Sequence, residues 1–267
     1  MNPQREIVDP RFVSTPASKS ISVGTTLFHL LLALAAVIAV PRLAQEMTNR
    51  IAIRYGHSLD KIDPNGVYVW SSLHHLWQLA LTLIAMLLLS RTLCGWGFTL
   101  NEHDRSLRFF RQFFLYYTGI VVVGHLALFF VAPPPTFPHP LTGRNIVGEL
   151  GFKLLLSGTC EEPLFRGLVM TLLYRSLAGV IRVGRIEMPY AGLAATLFFM
   201  LAHIGFSLSP LAVTWLSVPQ LLQAGALGLF YAYIFHQTRS LLSPILIHNY
   251  FNFSLTALGM IWVILKR

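Results

Sequence analysis

Runs of about twenty mostly apolar residues recur along the chain, near 22–40, 69–90, 113–132, 147–173, 190–207, 219–236 and 241–264. Each has the length that a hydrocarbon core requires. Lipid offers no water to the peptide groups, so such runs fold as helices that pair their own amides and carbonyls. The expected fold is an all-α, polytopic transmembrane helical bundle of about seven spans, six to eight at the limits. Composition agrees: the 267 residues are 54% hydrophobic and 12% charged, far from the balance of a soluble domain.

The chain carries 20 Lys and Arg against 11 Asp and Glu, which in a soluble protein would suggest nucleic acid. Here the cations flank apolar runs, where membrane orientation accounts for them, and no nucleic-acid partner is expected. Arg5, Arg11, Lys19, Arg91, Arg105, Arg108, Arg111, Arg175, Arg182, Arg185 and Arg239 fall on the N-terminal side. Arg42, Arg50, Arg54, Lys61, Arg144, Lys266 and Arg267 fall on the other, so the bias puts the N-terminus in the cytoplasm. The location expected is an integral membrane one, in a prokaryotic cytoplasmic membrane. The basic tail Lys266-Arg267 then sits outside, and an eighth or re-entrant segment around 207–218 would remove that objection. The first span reads as a retained anchor, since about twenty polar residues precede it.

Connections are short, so a separate soluble domain has no place. Residues 41–68 are expected to be partly helical at the interface, and 96–114, with Arg105, Arg108 and Arg111 at three-residue spacing, read as an interfacial helix entering the third span. The proline-rich stretch 132–140 ends that span. Residues 1–146 are read as N-terminal transmembrane helices and interfacial segments and 147–267 as a helical core, whose C-terminal spans are expected to enclose a cavity.

Within the 147–173 run stands GTCEEPLFRG, 158–167, which places Glu161, Glu162 and Arg166 in an apolar setting. Each ionisable group at mid-bilayer costs about 2.5 to 3.5 kcal/mol on insertion scales, so three in one helix require partners or a task. Glu162 and Arg166 are i and i+4 neighbours, about 40° apart, and can pair, whereas Glu161 points about 140° away from Arg166. One carboxylate is held and the other left free. Pro163 removes an internal hydrogen bond and is expected to kink the helix beside the acids.

Two later runs supply matching polar pairs at i and i+4: Phe199 with His203, and His248 with Asn252. A carboxylate, two imidazoles and a carboxamide are the parts needed to activate a water and hold an oxyanion. His203 lies late in its run and His248 early in one of the same direction, so parallel cylinders would separate them unless the helices are staggered or broken. Cys160 reads as a packing residue, Cys94 and Cys160 as unpaired thiols, and Ser157-Gly158 lacks the GxSG turn of serine intramembrane proteases. His74 and His75 read as interfacial residues without a task.

These motifs, EEPLFR at 161–166, FMLAH at 199–203 and HNYFN at 248–252, resemble in kind and order the signature of the CAAX protease and bacteriocin-processing family of intramembrane endopeptidases, which includes the type II CAAX prenyl proteases. The resemblance covers about residues 147–255. It implies that Glu161 is the general base for a water positioned by His203, that His248 and Asn252 stabilise the oxyanion, and that Glu162, Arg166 and Phe199 support the site. It leans toward glutamate-based hydrolysis of a peptide or membrane-anchored protein without a required cofactor. Zinc stays open as an alternative, with Glu161, His203 and His248 as its donors and Glu162 beside them, although no HExxH motif is present. The same polar groups would also suit a non-catalytic immunity or scaffold protein, or a proton-coupled transporter.

Overall fold

The computed structural model describes residues 22–208 and 210–266. Arg5, Arg11, Lys19 and Arg267, which enter the charge bias, lie outside them. Helix dominates: α1 (Val23–Ile62), α2 (Val69–Leu89), α3 (His103–Val131), α4 (Gly143–Leu155), α5 (Ser157–Glu162), a π-helical stretch (Pro163–Met170), α6 (Thr171–Leu173), α7 (Tyr190–Ala202), α8 (Val218–Thr238) and α9 (Leu242–Leu265). Among the described residues, α1, α2, α3 and α8 are long and apolar enough to cross a membrane. This is an integral membrane protein, although four such helices are fewer than the seven expected. Helix α9 has the length, but His248, Asn249 and Asn252 in its first half reduce its apolar character.

The other two expected spans are broken up. The 147–173 run is divided at Leu156 and again at Pro163. Proline cannot donate the hydrogen bond that an α-helix needs at that position, and the chain continues in the wider π register. The 190–207 run is helical only through Ala202, about 20 Å at 1.5 Å per residue. Beyond His203 the chain forms an antiparallel hairpin, β3 (Gly205–Leu208) with β4 (Leu211–Trp215), over the stretch where an eighth or re-entrant segment would stand. A second hairpin, β1 (Val180–Val183) with β2 (Ile186–Pro189), turns at Gly184, whose φ of 61° suits a residue without Cβ. The fold is therefore helical with two small hairpins rather than purely α.

Helix α1 continues through Pro41 to Ile62, so the segment expected to be partly helical, 41–68, is helical over 41–62. Ser22 caps its start by accepting the Thr25 amide at 3.1 Å. The link to α2 is organised by Asp63, whose carboxylate accepts the amides of Val67, Tyr68 and Val69 at 2.9, 2.8 and 2.8 Å. Burial works against ionisation of Asp63, but those amides, with His139 nearby, hold its carboxyl below the ordinary range. Residues 103–114 and the third span form one helix, α3.

The broken segment occupies the centre of the molecule. Leu164, Phe165, Leu168, Val169 and Met170 are buried against α1, α2, α7 and α8. Helix α9 packs against α3, α4 and α5. Gly158 permits the close approach of α5 to α9, because a Cβ there would stand 2.6 Å from the His248 Cβ. The polar groups of α5 and α9 are thereby brought face to face.

Candidate active site

The two glutamates part company as the helical angles require. Glu162 is fully buried, and Arg166 Nη1 donates to its Oε1 at 3.2 Å from a guanidinium that is itself fully buried. Glu161 keeps 18% of its side-chain surface accessible and lines a cavity of about 280 Å³. Helix phase separates a structural carboxylate from an available one.

Arg166 has further anchors. Its Nη2 donates to the Gly228 carbonyl at 3.0 Å, and its guanidinium carbon lies 4.7 Å from the Phe199 ring centroid and 5.2 Å from that of Tyr231. A planar cation covered by two rings and bonded at two ends has little freedom to turn. Glu162 also accepts from His248 Nδ1 at 2.7 Å. A carboxylate has no proton to give, so this bond places the proton on Nδ1 of His248. The ring is held from the side by Tyr231, stacked on it at 5.3 Å and 15°.

His203 closes the short helix α7, donating from Nδ1 to the Phe199 carbonyl at 2.8 Å, with the Phe199 ring edge-on at 4.6 Å. Because α7 is only 13 residues long, its end can reach the depth of the first half of α9. His203, His248, Asn252, Glu161 and Phe199 all line the same cavity, so the apparent mismatch in height is removed by a short helix. Asn252 donates to Ser157 Oγ at 2.6 Å, which leaves one hydrogen of its amide uncommitted. Ser157 Oγ lies 3.4 Å from His248 Nε2. Asn249, beside His248, accepts the Gly158 amide at 2.6 Å and donates to Thr159 Oγ1 at 3.0 Å, fastening α9 to α5.

The cavity is not built by the C-terminal spans alone, as expected from the sequence. Helix α2 contributes Ser71 and His75 to its wall, and His75 Nε2 lies 3.1 Å from Glu161 Oε1. His75 is thus no idle interfacial residue. A polar stripe, Ser71, His75, Gln78 and Thr82, runs down α2 at helical spacing, with Gln78 and Thr82 buried, and is the sequence signal that marks this face. Lys153 and Phe152 of α4 and Gln220 and Gln223 of α8 complete the rim. Among the described residues no three His, Cys, Asp or Glu side chains converge as a metal-ligand set.

Residues 144–254, which hold all three motifs, match the family model described as type II CAAX prenyl endopeptidase Rce1-like. No curated protein and no solved structure matches the chain. With its apolar helices and this matched segment, the chain is a membrane protein whose residues 144–254 are similar to the type II CAAX prenyl endopeptidase Rce1-like family.

Proposed function

We propose that this chain is an intramembrane endopeptidase that hydrolyses a peptide bond of a membrane-associated substrate with a water activated by Glu161. One observation carries this: the accessible carboxylate of the acid pair shares a cavity with two imidazoles and a carboxamide, while its buried neighbour holds Arg166 and His248. In the cycle, Glu161 takes a proton from water as the water oxygen bonds to the carbonyl carbon, with His203 positioning that water. The carbonyl oxygen gains the electron pair, and His248, donating from Nε2 as an imidazolium, and the uncommitted Asn252 hydrogen stabilise it. Collapse breaks the C–N bond, and the leaving nitrogen takes the proton from Glu161. Glu162, Arg166 and Phe199 keep the reacting groups aimed.

A cavity of about 280 Å³ takes a few residues of extended chain and not a folded domain. A prenylated C-terminal CAAX peptide is one substrate the family description suggests, and other membrane-anchored tails fit the same chemistry. The N-terminus is assigned to the cytoplasmic side of a prokaryotic cytoplasmic membrane. The test compares membranes carrying the chain with membranes carrying Glu161→Gln, using mass spectrometry of endogenous membrane peptides and a synthetic prenylated CAAX peptide. Turnover by the variant should fall by about 10² to 10⁴. Undiminished cleavage rejects the assignment.

A second mechanism is favoured by one contact. Ser157 Oγ, His248 Nε2 and the Nδ1 bond to Glu162 follow one another as a serine nucleophile, base and orienting acid would. Ser157 is only 3% exposed, however, and already accepts from Asn252, which leaves it poorly placed to attack. Loss of all turnover in Ser157→Ala, with a trapped acyl-enzyme in the parent, would install this mechanism in place of the first.

A further inference from the structure

Helix α2 lies outside the matched segment, and the family motifs assign it nothing, yet it places a titratable ring against the proposed base. His75 Nδ1 stands 2.8 Å from the Ser71 carbonyl oxygen, and its Nε2 stands 3.1 Å from Glu161 Oε1. The Phe152 ring meets the imidazole edge-on at 4.8 Å and limits its rotation. A backbone carbonyl can only accept, so Nδ1 carries a proton. A neutral ring then presents a bare lone pair to Glu161, and two lone pairs cannot bond. One further proton must lie between Nε2 and Oε1.

We infer that His75 is a positioning residue for the proposed base: it shares one proton with Glu161, fixes Oε1 through that bond, and leaves Oε2 to face the water. This rests on Glu161 being the base. With the proton on His75, Glu161 is a carboxylate ready to accept from water. The abstracted proton goes to Oε2, then to the leaving nitrogen, while the His75 proton stays in place through the turnover. Around the ring stand Glu161 on α5, His74 on the same helix with its ring 5.5 Å away, and Lys153, His203 and His248 on the walls of the common cavity.

The test uses the full chain in lipid vesicles with a fluorogenic prenylated CAAX peptide, comparing the parent, Glu161→Gln, His75→Phe and His75→Gln. Phenylalanine removes the bond, whereas the glutamine amide can reproduce the Nε2 donor and cannot titrate. In His75→Phe, kcat should fall about 10- to 100-fold with KM within about threefold. His75→Gln, which keeps a donor toward Oε1, should recover most of that kcat with KM near the parent's. A merely structural role would not give a kcat loss at constant KM that an amide donor restores. If Glu161→Gln is inactive but His75→Phe stays within about twofold of the parent, or His75→Gln is no more active than His75→Phe, the inference is overturned and the base assignment stands. Should His75→Phe fail to fold, kcat of His75→Asn, whose shorter amide falls short of Oε1, against that of His75→Gln decides in the same way. A Glu161→Gln variant as active as the parent overturns both.

Discussion

Arg166 reaches from the π-helical stretch to donate to the backbone carbonyl of Gly228 on α8 at 3.0 Å, at a residue with no side chain to bar it. A Cβ there would stand 2.9 Å from Thr196 Cγ2, 3.3 Å from Phe199 Cδ1 and 3.4 Å from Arg166 Nη2. Gly228→Ala should therefore destabilise the protein by about 1 to 3 kcal/mol through overpacking. Turnover should also drop, because the same methyl presses on Phe199 and Arg166. Thermal melts in detergent, with turnover measured below the melting range, check both.

Arg166→Lys tests whether charge alone is enough. An ammonium is a point donor, and it cannot serve Glu162 and Gly228 together while lying flat between Phe199 and Tyr231. Lysine should lose most of the activity and some stability. Arg166→Met leaves the buried Glu162 carboxylate with His248 but without its guanidinium partner and should cost about 3 to 5 kcal/mol. The double variant Glu162→Gln with Arg166→Met should recover much of that stability without recovering turnover, since His248 loses its orienting acid. A double-mutant cycle on chemical unfolding reads the first part, and kinetics the second.

Asn252→Leu removes the free donor and should lower kcat by about 10² to 10³ with little change in KM. Ser157→Ala removes only the acceptor that steadies the Asn252 amide, so its effect should be about tenfold or less. Steady-state kinetics of the two variants side by side separates the roles.

Acid should loosen the junction between α1 and α2. The Asp63 carboxyl is held below its ordinary range in the folded protein, so its contribution is present above the unfolded value of about 4 and is lost as pH falls through the folded value. Asp63→Asn should cost about 1 kcal/mol at neutral pH, and its melting temperature should fall less between pH 5 and pH 3, taken as rough bounds, than that of the parent. Melting curves across that interval give the comparison.

Chelation should leave turnover unchanged, since the proposed chemistry uses the Glu161 carboxylate and no three donor side chains converge among the described residues. Dialysis against a strong chelator followed by assay checks this, and loss of activity restored by zinc would call for a metal at Glu161, His203 and His248.

Where a single local rule decides the structure, the sequence is readable. Helices α2, α8 and α9 begin and end within about three residues of the apolar runs, because uninterrupted apolar sequence in lipid has one outcome. The opposed environments of Glu161 and Glu162 follow from helical angle alone. Other features depend on tertiary context. The hairpin after His203 lies in GFSLSPLAVTW, whose apolar character fits a helix as well as a strand, so periodicity does not separate them. The first hairpin carries a signal, Gly184 between alternating residues with Arg182 and Glu187 paired at 2.7 Å, but its basic loop masks it. The polar stripe on α2 marks the face that bears His75 but not what the ring meets, because its partner lies 86 positions away in sequence. Only the packing of α2 against α5 brings the two together.

The division of labour between two adjacent glutamates has a consequence for how this segment can vary. Their difference is one of phase, about 100° around a single axis, and not of residue type. A deletion of one residue between Ser157 and Cys160 would keep every motif letter intact yet rotate the acids by that angle, carrying Glu162 to the cavity wall and swinging Arg166 off the Gly228 carbonyl. Spacing within this turn is therefore as much a part of the apparatus as the side chains it carries, and a length change there should silence the protein more completely than several point substitutions on its lipid-facing surface.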